Sequence, residues 1–269
     1  VAGDIAISGD GDLYVADLFA IRKVNPADGK IDEVARVWSS RIDYPLGISV
    51  QNGKVAVAAL TAGAVQVFDT TGIGSSEPHH GFTTPVDALV LSDGSVIISE
   101  YARGALVRVA NDDWDNRIDL ATGLSGPAML MPGDESTVYV SENLGGRITS
   151  VNIQTGEKSV VIDDLATPEG FDIGSDGRFV IAEVGAKRIT AVDPATGERE
   201  IIAARLPIGL EAPENAPEPS APAVGTLGKS LGSVEQKSTN MPASDVIAAR
   251  CQTESALPVR LDPDDERVS

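Results

Sequence analysis

A unit of roughly 40–45 residues recurs along the first three quarters of this sequence, and its period is the strongest constraint on the fold. The second apolar run of each unit ends in a recognisable way, and the five run ends lie at Asp17, Leu60, Glu100, Glu142 and Glu183. A β-sandwich would not repeat one signature five times, and a β-solenoid has a much shorter repeat. A unit of this length with four strands is typical of a propeller blade. The sequence therefore predicts an all-β fold, a β-propeller of four-stranded blades.

The clearest copy of the unit spans residues 167–197. Two apolar runs flank its Asp176-Gly177 pair, which is a strong hairpin signal because the turn requires positive φ. A third run follows, and the fourth run of each unit is the weakest. Unit two has the poorest fourth run, around His79-His80, where Pro78 fits only an edge strand.

Composition restricts the classes of partner and the kinds of site that are compatible with this chain. Aromatic residues make up only 4% of the chain, whereas it holds 27 Gly and 16 Pro, which fits many short strands joined by tight turns. The formal charge of −19 argues against nucleic acid and anionic membranes as partners, because both would repel the chain. A single cysteine, Cys251, excludes an intrachain disulfide and a Cys-x-x-Cys metal site. No apolar stretch approaches the ~18 residues of a membrane-spanning helix.

The repeat stops after Leu206. We predict that residues 1–206 form propeller blades one to five and that residues 207–269 form a Pro/Ala-rich linker and a weakly structured acidic tail. Only residues 246–249 and 257–261 of the tail are apolar enough to pair with another strand. The chain begins abruptly inside a strand pattern, so we interpret it as a processed or truncated form.

The blade pattern resembles that of a known family. Pro168-x-Gly170, Asp176-Gly177, the run that closes on Ala182-Glu183, and Arg188-Ile189 look like the NHL-repeat and SMP-30/gluconolactonase-like six-bladed propellers. Virginiamycin B lyase-like and strictosidine synthase-like propellers share this pattern. The resemblance covers residues 1–206 and implies a six-bladed ring of which five blades are recognisable. It also implies a site on the face where first strands begin and second strands end, and we expect an extracytoplasmic rather than a cytoplasmic location.

Acidic residues gather at the predicted mouth of the central channel. First strands contribute Glu169, Asp87 and Asp4, and the ends of second strands add Asp17, Glu100, Glu142 and Glu183. A ring of carboxylates can hold a hard cation such as Ca²⁺, which takes about six to eight oxygen ligands. Gly-x-Ser-x-Gly, phosphate-loop and His-Glu-x-x-His motifs are absent from the sequence, so the carboxylates are the main candidates for chemistry.

Two of these carboxylates have a structural interpretation. Glu142 and Glu183 are each followed five residues later by an arginine, Arg147 in one unit and Arg188 in the other. Such a pair can close its own loop with charge-assisted hydrogen bonds. We therefore predict that these two pairs are structural.

Units two and three depart from this pairing. Unit two has Leu60 and Ala64 at the two positions, so both partners are absent together. Unit three keeps Glu100 but has Ala105 at the arginine position, and Arg103 is a candidate substitute. The pattern predicts that Glu100 is the carboxylate most available for function.

The resemblance implies that Glu169, in the Pro-x-Gly position, is a metal ligand, as in SMP-30-like lactonases. Those enzymes complete the site with Asn and Asp from other blades, whereas the corresponding residues here are Gly3, Leu46, Val86 and Pro127. Asp87 is a partial replacement. We therefore predict that Glu169, Asp87 and Glu100 bind Ca²⁺ or another divalent cation, with Asp87 and Glu100 as the catalytic residues. The cation would polarise a carbonyl or activate water.

Two functions follow from the resemblance. The first is metal-assisted hydrolysis, or a lyase reaction, of a small molecule at the channel mouth. The second is a non-catalytic NHL-like module whose acidic mouth binds a peptide or protein partner, and the fold alone does not choose between them. His79 and His80, the only histidines, are predicted to lie toward an outer strand and away from the channel, and Cys251 has no histidine near it in the sequence.

Overall fold

The computed structural model describes residues 2–17, 20–36, 45–70, 77–110 and 113–208. In these ranges the regular structure consists of twenty β-strands and one turn of 3-10 helix, Val184–Ala186. No helix in these ranges is long and apolar enough to cross a membrane. The predicted linker and tail lie outside the described residues except for Pro207 and Ile208, and Cys251 lies outside them as well.

Each repeat unit folds into one four-stranded antiparallel sheet whose strands follow one another in chain order. Blade one contains β1 (Ala2–Ile7), β2 (Leu13–Asp17), β3 (Ala20–Val24) and β4 (Ile31–Arg36). Blade two contains β5 (Pro45–Gln51), β6 (Lys54–Ala59), β7 (Ala64–Asp69) and β8 (His79–His80). Blade three contains β9 (Pro85–Val90), β10 (Val96–Glu100), β11 (Ala105–Val109) and β12 (Arg117–Thr122).

The last two described blades repeat the same order. Blade four contains β13 (Pro127–Pro132), β14 (Thr137–Glu142), β15 (Arg147–Asn152) and β16 (Lys158–Ile162). Blade five contains β17 (Pro168–Ile173), β18 (Phe179–Glu183), β19 (Arg188–Val192) and β20 (Arg199–Ala204). The predicted hairpin turn joins β17 to β18, where Gly177 has a φ of +82° that a side chain would make unfavourable. The poor fourth strand predicted for unit two is confirmed, because β8 has only two residues.

The first strands of successive blades pack side by side, from β1 through β5, β9 and β13 to β17. The apolar clusters lie between neighbouring blades, because side chains alternate across each strand and both faces of an inner strand need cover. The predicted propeller of four-stranded blades is therefore confirmed, with five blades described. Within the described residues, β17 and β1 do not pack together as successive first strands do, so a six-bladed ring is not established.

One face of blade one is less covered than the equivalent face of each other described blade. Ile5 and Val15 lie opposite each other on β1 and β2, and both are only half-buried. The equivalent pairs in the other blades are at most 3% exposed, and they are Ile48–Val57, Ala88–Ile98, Leu130–Val140 and Phe171–Ile181. Each of those pairs packs against the blade that precedes it. Among the described residues, no blade covers that face of blade one.

The strand register corrects two of the sequence alignments. Pro45 lies opposite Ala59 as Pro168 lies opposite Glu183, so the residue of blade two at the glutamate position is Ala59 and not Leu60. Pro127 lies opposite Glu142 in the same way, so Ala128 rather than Pro127 corresponds to Glu169. Both errors arose because the boundaries of a strand have no sequence marker that fixes them to a single residue.

Candidate functional site

The glutamates that end second strands fix the loops that enter their own blades. The backbone N–H of Thr83 donates to Glu100 at 2.5 Å, that of Ser125 donates to Glu142 at 2.6 Å, and that of Ala166 donates to Glu183 at 2.8 Å. Each donor lies 17 residues before its glutamate, in the loop that leads into the first strand. The carboxylate therefore attaches the entering loop to the finished second strand.

Arginine completes this attachment in blades four and five. Arg147 donates from Nε and from one terminal nitrogen to the two oxygens of Glu142, both at 2.8 Å. Arg188 makes the same two bonds to Glu183 at 2.7 and 3.0 Å. A threonine hydroxyl two residues after each arginine adds a bond of 2.5 Å. Glu142 is 1% exposed and Glu183 is fully buried, so the predicted structural pairs are confirmed.

Burial and hydrogen bonding act in opposite directions on these two carboxyl groups. Burial alone raises the pKa of Glu142 and of Glu183, since the charged form loses its water. The bonds from arginine, threonine and the backbone amide outweigh burial, so both pKa values lie below the ordinary value of 4.5. Each charged carboxylate therefore stabilises the folded state at neutral pH.

This pKa shift predicts an acid-dependent loss of stability. A depressed folded pKa means that the unfolded chain binds the proton first, so the stabilisation is complete above about pH 4.5 and is lost as the pH falls through the folded pKa. We expect Glu142→Gln to lower the free energy of unfolding at neutral pH, with a difference from wild type that shrinks below about pH 4.5. Urea unfolding of both proteins at pH values above and below this point measures the difference in the free energy of unfolding. A difference that stays constant with pH would contradict the assignment.

Glu100 is not the available carboxylate that the sequence predicted. Arg103 reaches back from the loop after β10 and contacts both Glu100 and Asp119, so it substitutes for the missing strand arginine. In blade one the arginine that pairs with the carboxylate comes from a third position, because Nε of Arg22 donates to Asp17 at 3.0 Å. The same structural role is therefore filled by arginines from three different places in the blade.

Asp4 and Asp87 connect neighbouring first strands. Asp87 accepts the backbone N–H of Ala88 and that of Leu130 in the next blade, both at 2.7 Å. Asp4 accepts the N–H of Ile5 at 2.8 Å and that of Ile48 in the next blade at 2.9 Å. Both aspartates are buried, and these bonds give them a structural role. The ligand and catalytic roles assigned to Asp87 from the sequence stay predictions.

Three polar side chains from blades three, four and five meet at the end of the channel where first strands begin. The hydroxyl of Tyr101 donates to Oδ1 of Asn143 at 3.0 Å, and Nδ2 of Asn143 donates to Oε1 of Glu169 at 3.4 Å. Glu169 is only 3% exposed. Burial first, and then the negative charge of Glu169, raises the pKa of Tyr101, so its phenol keeps its proton at neutral pH.

The backbone of the neighbouring loop makes room for this arrangement. Gly126 has a φ of +64°, and a Cβ on it would lie 3.1 Å from the Tyr101 ring and 2.8 Å from Leu144. One apolar cluster, which contains Val86 and Ala128, has Leu46, Leu60 and Tyr101 packed at its border. The hydrogen-bonded chain therefore lies beside apolar side chains, and this raises the strength of its electrostatic interactions.

Sequence reasoning identified Glu169 in this site but missed Tyr101 and Asn143. Both residues directly follow the glutamate that ends a second strand, Glu100 or Glu142. A comparison of that following position between units would have singled them out as the polar members, since the others are apolar. The predicted site residues were all carboxylates, so neither residue was among them.

The described residues do not fit a dedicated cation cage. No group of three or more His, Cys, Asp or Glu side chains in the described ranges is arranged to hold a metal ion. Asp87 and Glu100 direct their carboxylates to backbone amides and to Arg103, whereas Glu169 contacts Asn143. A cation held by Glu169, Asp87 and Glu100 therefore stays a prediction.

A large cavity opens at the opposite end of the channel. Its volume is about 940 Å³, and its walls include Ile7, Val50, Leu91 and Pro132, near the hairpins that join first to second strands. The carboxylates predicted at the mouth do not line it. His79 lies on the outer strand as predicted, with its ring stacked on Trp114 at 3.9 Å between centroids.

The fold and this site define a β-propeller with a polar group at one end of its channel. No protein-family model and no curated protein matches the sequence. A streptogramin B lyase structure matches with a TM-score of 0.61 and 18% identity, over 77% of this chain and 70% of that one. A gluconolactonase from Xanthomonas campestris matches with a TM-score of 0.59 and 17% identity, over 74% of each chain.

A propeller from a nidogen/laminin complex is also similar, with a TM-score of 0.64 and 16% identity over 74% of this chain and 78% of that one. The resemblance to gluconolactonase-like and NHL propellers is therefore confirmed for the fold. Identities this low carry the architecture and no assignment of activity.

Proposed function

We propose that this propeller binds a small polar molecule at the channel mouth and acts on it with Glu169 as the base. The observation that carries the proposal is the hydrogen-bonded chain from Tyr101 through Asn143 to Glu169. It unites three blades at one point, and it places a carboxylate in a largely water-excluded position. A buried carboxylate is a strong acceptor for a hydroxyl or amine proton of a ligand.

The three residues have different roles in this proposal. Glu169 accepts a proton from the bound molecule or from a water beside it, which is the work of a general base. Asn143 and Tyr101 are positioning residues, because they hold Oε1 of Glu169 and do not need to touch the ligand. The protonated phenol of Tyr101 keeps Oδ1 of Asn143 occupied, so the amide presents its N–H group to Glu169.

Two structural neighbours supply the first compounds to test. Gluconolactone and a streptogramin B are the substrates for which those proteins are named. We expect one of these classes to be consumed by the wild-type protein, with loss of turnover by at least about 100-fold in Glu169→Gln. The thermal unfolding midpoint of the variant should stay close to that of wild type.

The matched control is Glu142→Gln, in which the changed carboxylate is structural. This variant should unfold more easily and keep its turnover at temperatures where it is folded. Equal turnover in Glu169→Gln and wild type would overturn the role of Glu169. Thermal unfolding with added Ca²⁺, Mg²⁺, Mn²⁺ or Zn²⁺ tests the cation prediction separately, since a cation bound to the folded state raises the midpoint.

A binding function without catalysis has one observation in its favour. Leu144, next to Asn143 at the same end of the channel, is 67% exposed and is the most exposed large hydrophobic side chain of the described residues. The nidogen propeller was solved in a complex with laminin. If no compound is consumed, Leu144→Asp should abolish binding of a peptide or protein partner found with the wild-type protein, whereas Ile118→Asp on an outer strand should not.

A further inference from the structure

Blade three lacks two side chains that blades four and five place beside their second-strand glutamate. Glu100 lies opposite Ala105 as Glu142 lies opposite Arg147. Two residues further on, Val107 replaces the threonine that donates to the glutamate in the other two blades. The exchange removes a long arginine and a hydroxyl from one place in the fold. Arg103 approaches Glu100 from the loop instead.

A cavity of about 560 Å³ lies in this region, between blades two and three. Its apolar lining residues are Ile118, which is 53% exposed, and the buried Phe82 and Val107. Its charged lining residues are Glu100, Arg103, Arg117 and Asp119. The volume falls in the range of small-molecule pockets, roughly 300–1,000 Å³. Tyr101, Asn143 and Glu169 do not line this cavity, so it is separate from that group.

The two arginines that line the cavity differ in their partners. Arg103 contacts both Glu100 and Asp119, so these three groups form one network. Arg117 instead donates from Nε to the carbonyl of Trp114 at 2.9 Å and from a terminal nitrogen to the carbonyl of His80 at 2.7 Å. No ion pair joins it to a carboxylate of the described residues. In a chain of net charge −19, this is an unusual position for a cation.

The guanidinium of Arg117 is held in a fixed orientation. The two carbonyls fix its edge, and its central carbon lies 4.1 Å from the centre of the Phe82 ring. An arginine has five N–H donors, and the two carbonyls use two of them. A planar donor that is already ordered binds a carboxylate with two parallel bonds and loses little entropy.

We propose that this cavity binds a small carboxylate with an apolar body. The carboxylate accepts hydrogen bonds from Arg117, and the apolar body lies against Ile118. The lining holds two arginines and two carboxylates, so it has no excess negative charge to repel the ligand. The site is independent of the function proposed for the channel mouth, because none of the three residues of that function lines this cavity.

Trp114 provides a direct signal for this binding. Its ring stacks on His79 and meets Phe82 edge-on at 6.5 Å between centroids. The sequence has two tryptophans, so a Trp38→Phe background leaves Trp114 as the single reporter. Titration of that protein with butyrate should give a saturable change in fluorescence. Butanol and butylammonium, which match butyrate in size, should each bind at least about tenfold more weakly.

Two variants in the same background test the assignment to Arg117. Arg117→Met removes the guanidinium and should weaken butyrate binding at least about tenfold, whereas Arg178→Met on blade five should not change it. Ala105→Arg restores the side chain that fills this place in blades four and five, and it should abolish binding while the blades stay folded. If Arg117→Met does not fold, the butyrate affinity of Ala105→Arg decides whether the cavity is the binding site.

Three results would overturn the proposal. The first is the absence of a saturable signal with butyrate. The second is an equal response to butyrate and butanol, which would show an apolar pocket with no role for the guanidinium. The third is unchanged butyrate affinity in Arg117→Met or in Ala105→Arg. The comparison of turnover between wild type and Glu169→Gln, which tests the function proposed for the channel mouth, does not depend on any of these outcomes.

Discussion

Replacing Arg188 by alanine is expected to lower the free energy of unfolding by about 3–5 kcal/mol, because it leaves the fully buried carboxylate of Glu183 without its counter-charge. Arg147→Ala should have a similar effect through Glu142. The remaining bonds from a threonine hydroxyl and a backbone amide cannot replace a charge in that position. Urea unfolding monitored by circular dichroism measures the loss.

Arg178→Ala is the matched control for this prediction. Arg178 pairs with Asp176 and Glu200, and all three side chains are exposed, so its removal should cost at most about 1 kcal/mol. An effect of Arg188→Ala as small as that of Arg178→Ala would show that Glu183 is not held mainly by its arginine. The loop that enters blade five would then need another explanation for its position.

Truncation of Ile48 is the second large effect that we expect. Ile48→Ala removes a fully buried side chain between blades one and two and should cost about 2–5 kcal/mol. Ile5 occupies the equivalent position of blade one but is only half-buried. Ile5→Ala should therefore cost less than about 2 kcal/mol. The comparison measures how far the exposed face of blade one is covered in solution.

The two variants are closely matched, since both replace isoleucine in a first strand at the same register position. Equal losses would mean that Ile5 is buried as deeply as Ile48. Some element outside the described residues would then cover blade one. A smaller loss for Ile5→Ala is the result that the described structure predicts.

The blade architecture was predictable from the sequence because its signals are local and repeated. An Asp-Gly turn such as Asp176-Gly177 marks a hairpin by its backbone conformation alone, and five copies of one pattern confirm one another. The exact register was not predictable at Ala59 and Ala128, where small residues give no contrast with their neighbours. The structural arginine pairs were predictable in blades four and five because partner and spacing recur there.

The candidate site was only partly predictable, since its members come from different blades. Tyr101, Asn143 and Glu169 are far apart in the sequence, and only the packing of three blades brings them together. The availability predicted for Glu100 was wrong for the opposite reason. Its partner Arg103 lies close in the sequence but outside the repeat pattern, so the periodic argument gave it too little weight. Sites built from departures in a repeat need the structure to identify them.

The most direct test of the channel-mouth site is the pKa of Tyr101 in wild type and in Glu169→Gln, measured by nuclear magnetic resonance of tyrosine-labelled protein. Burial and the charge of Glu169 together raise this pKa, and the variant removes only the charge. We expect the pKa of Tyr101 to fall toward 10.0 in Glu169→Gln, while that of Tyr14, which is raised mainly by burial in blade one, stays the same. An unchanged Tyr101 pKa would show that the two side chains do not share one site, and it would contradict the proposed function.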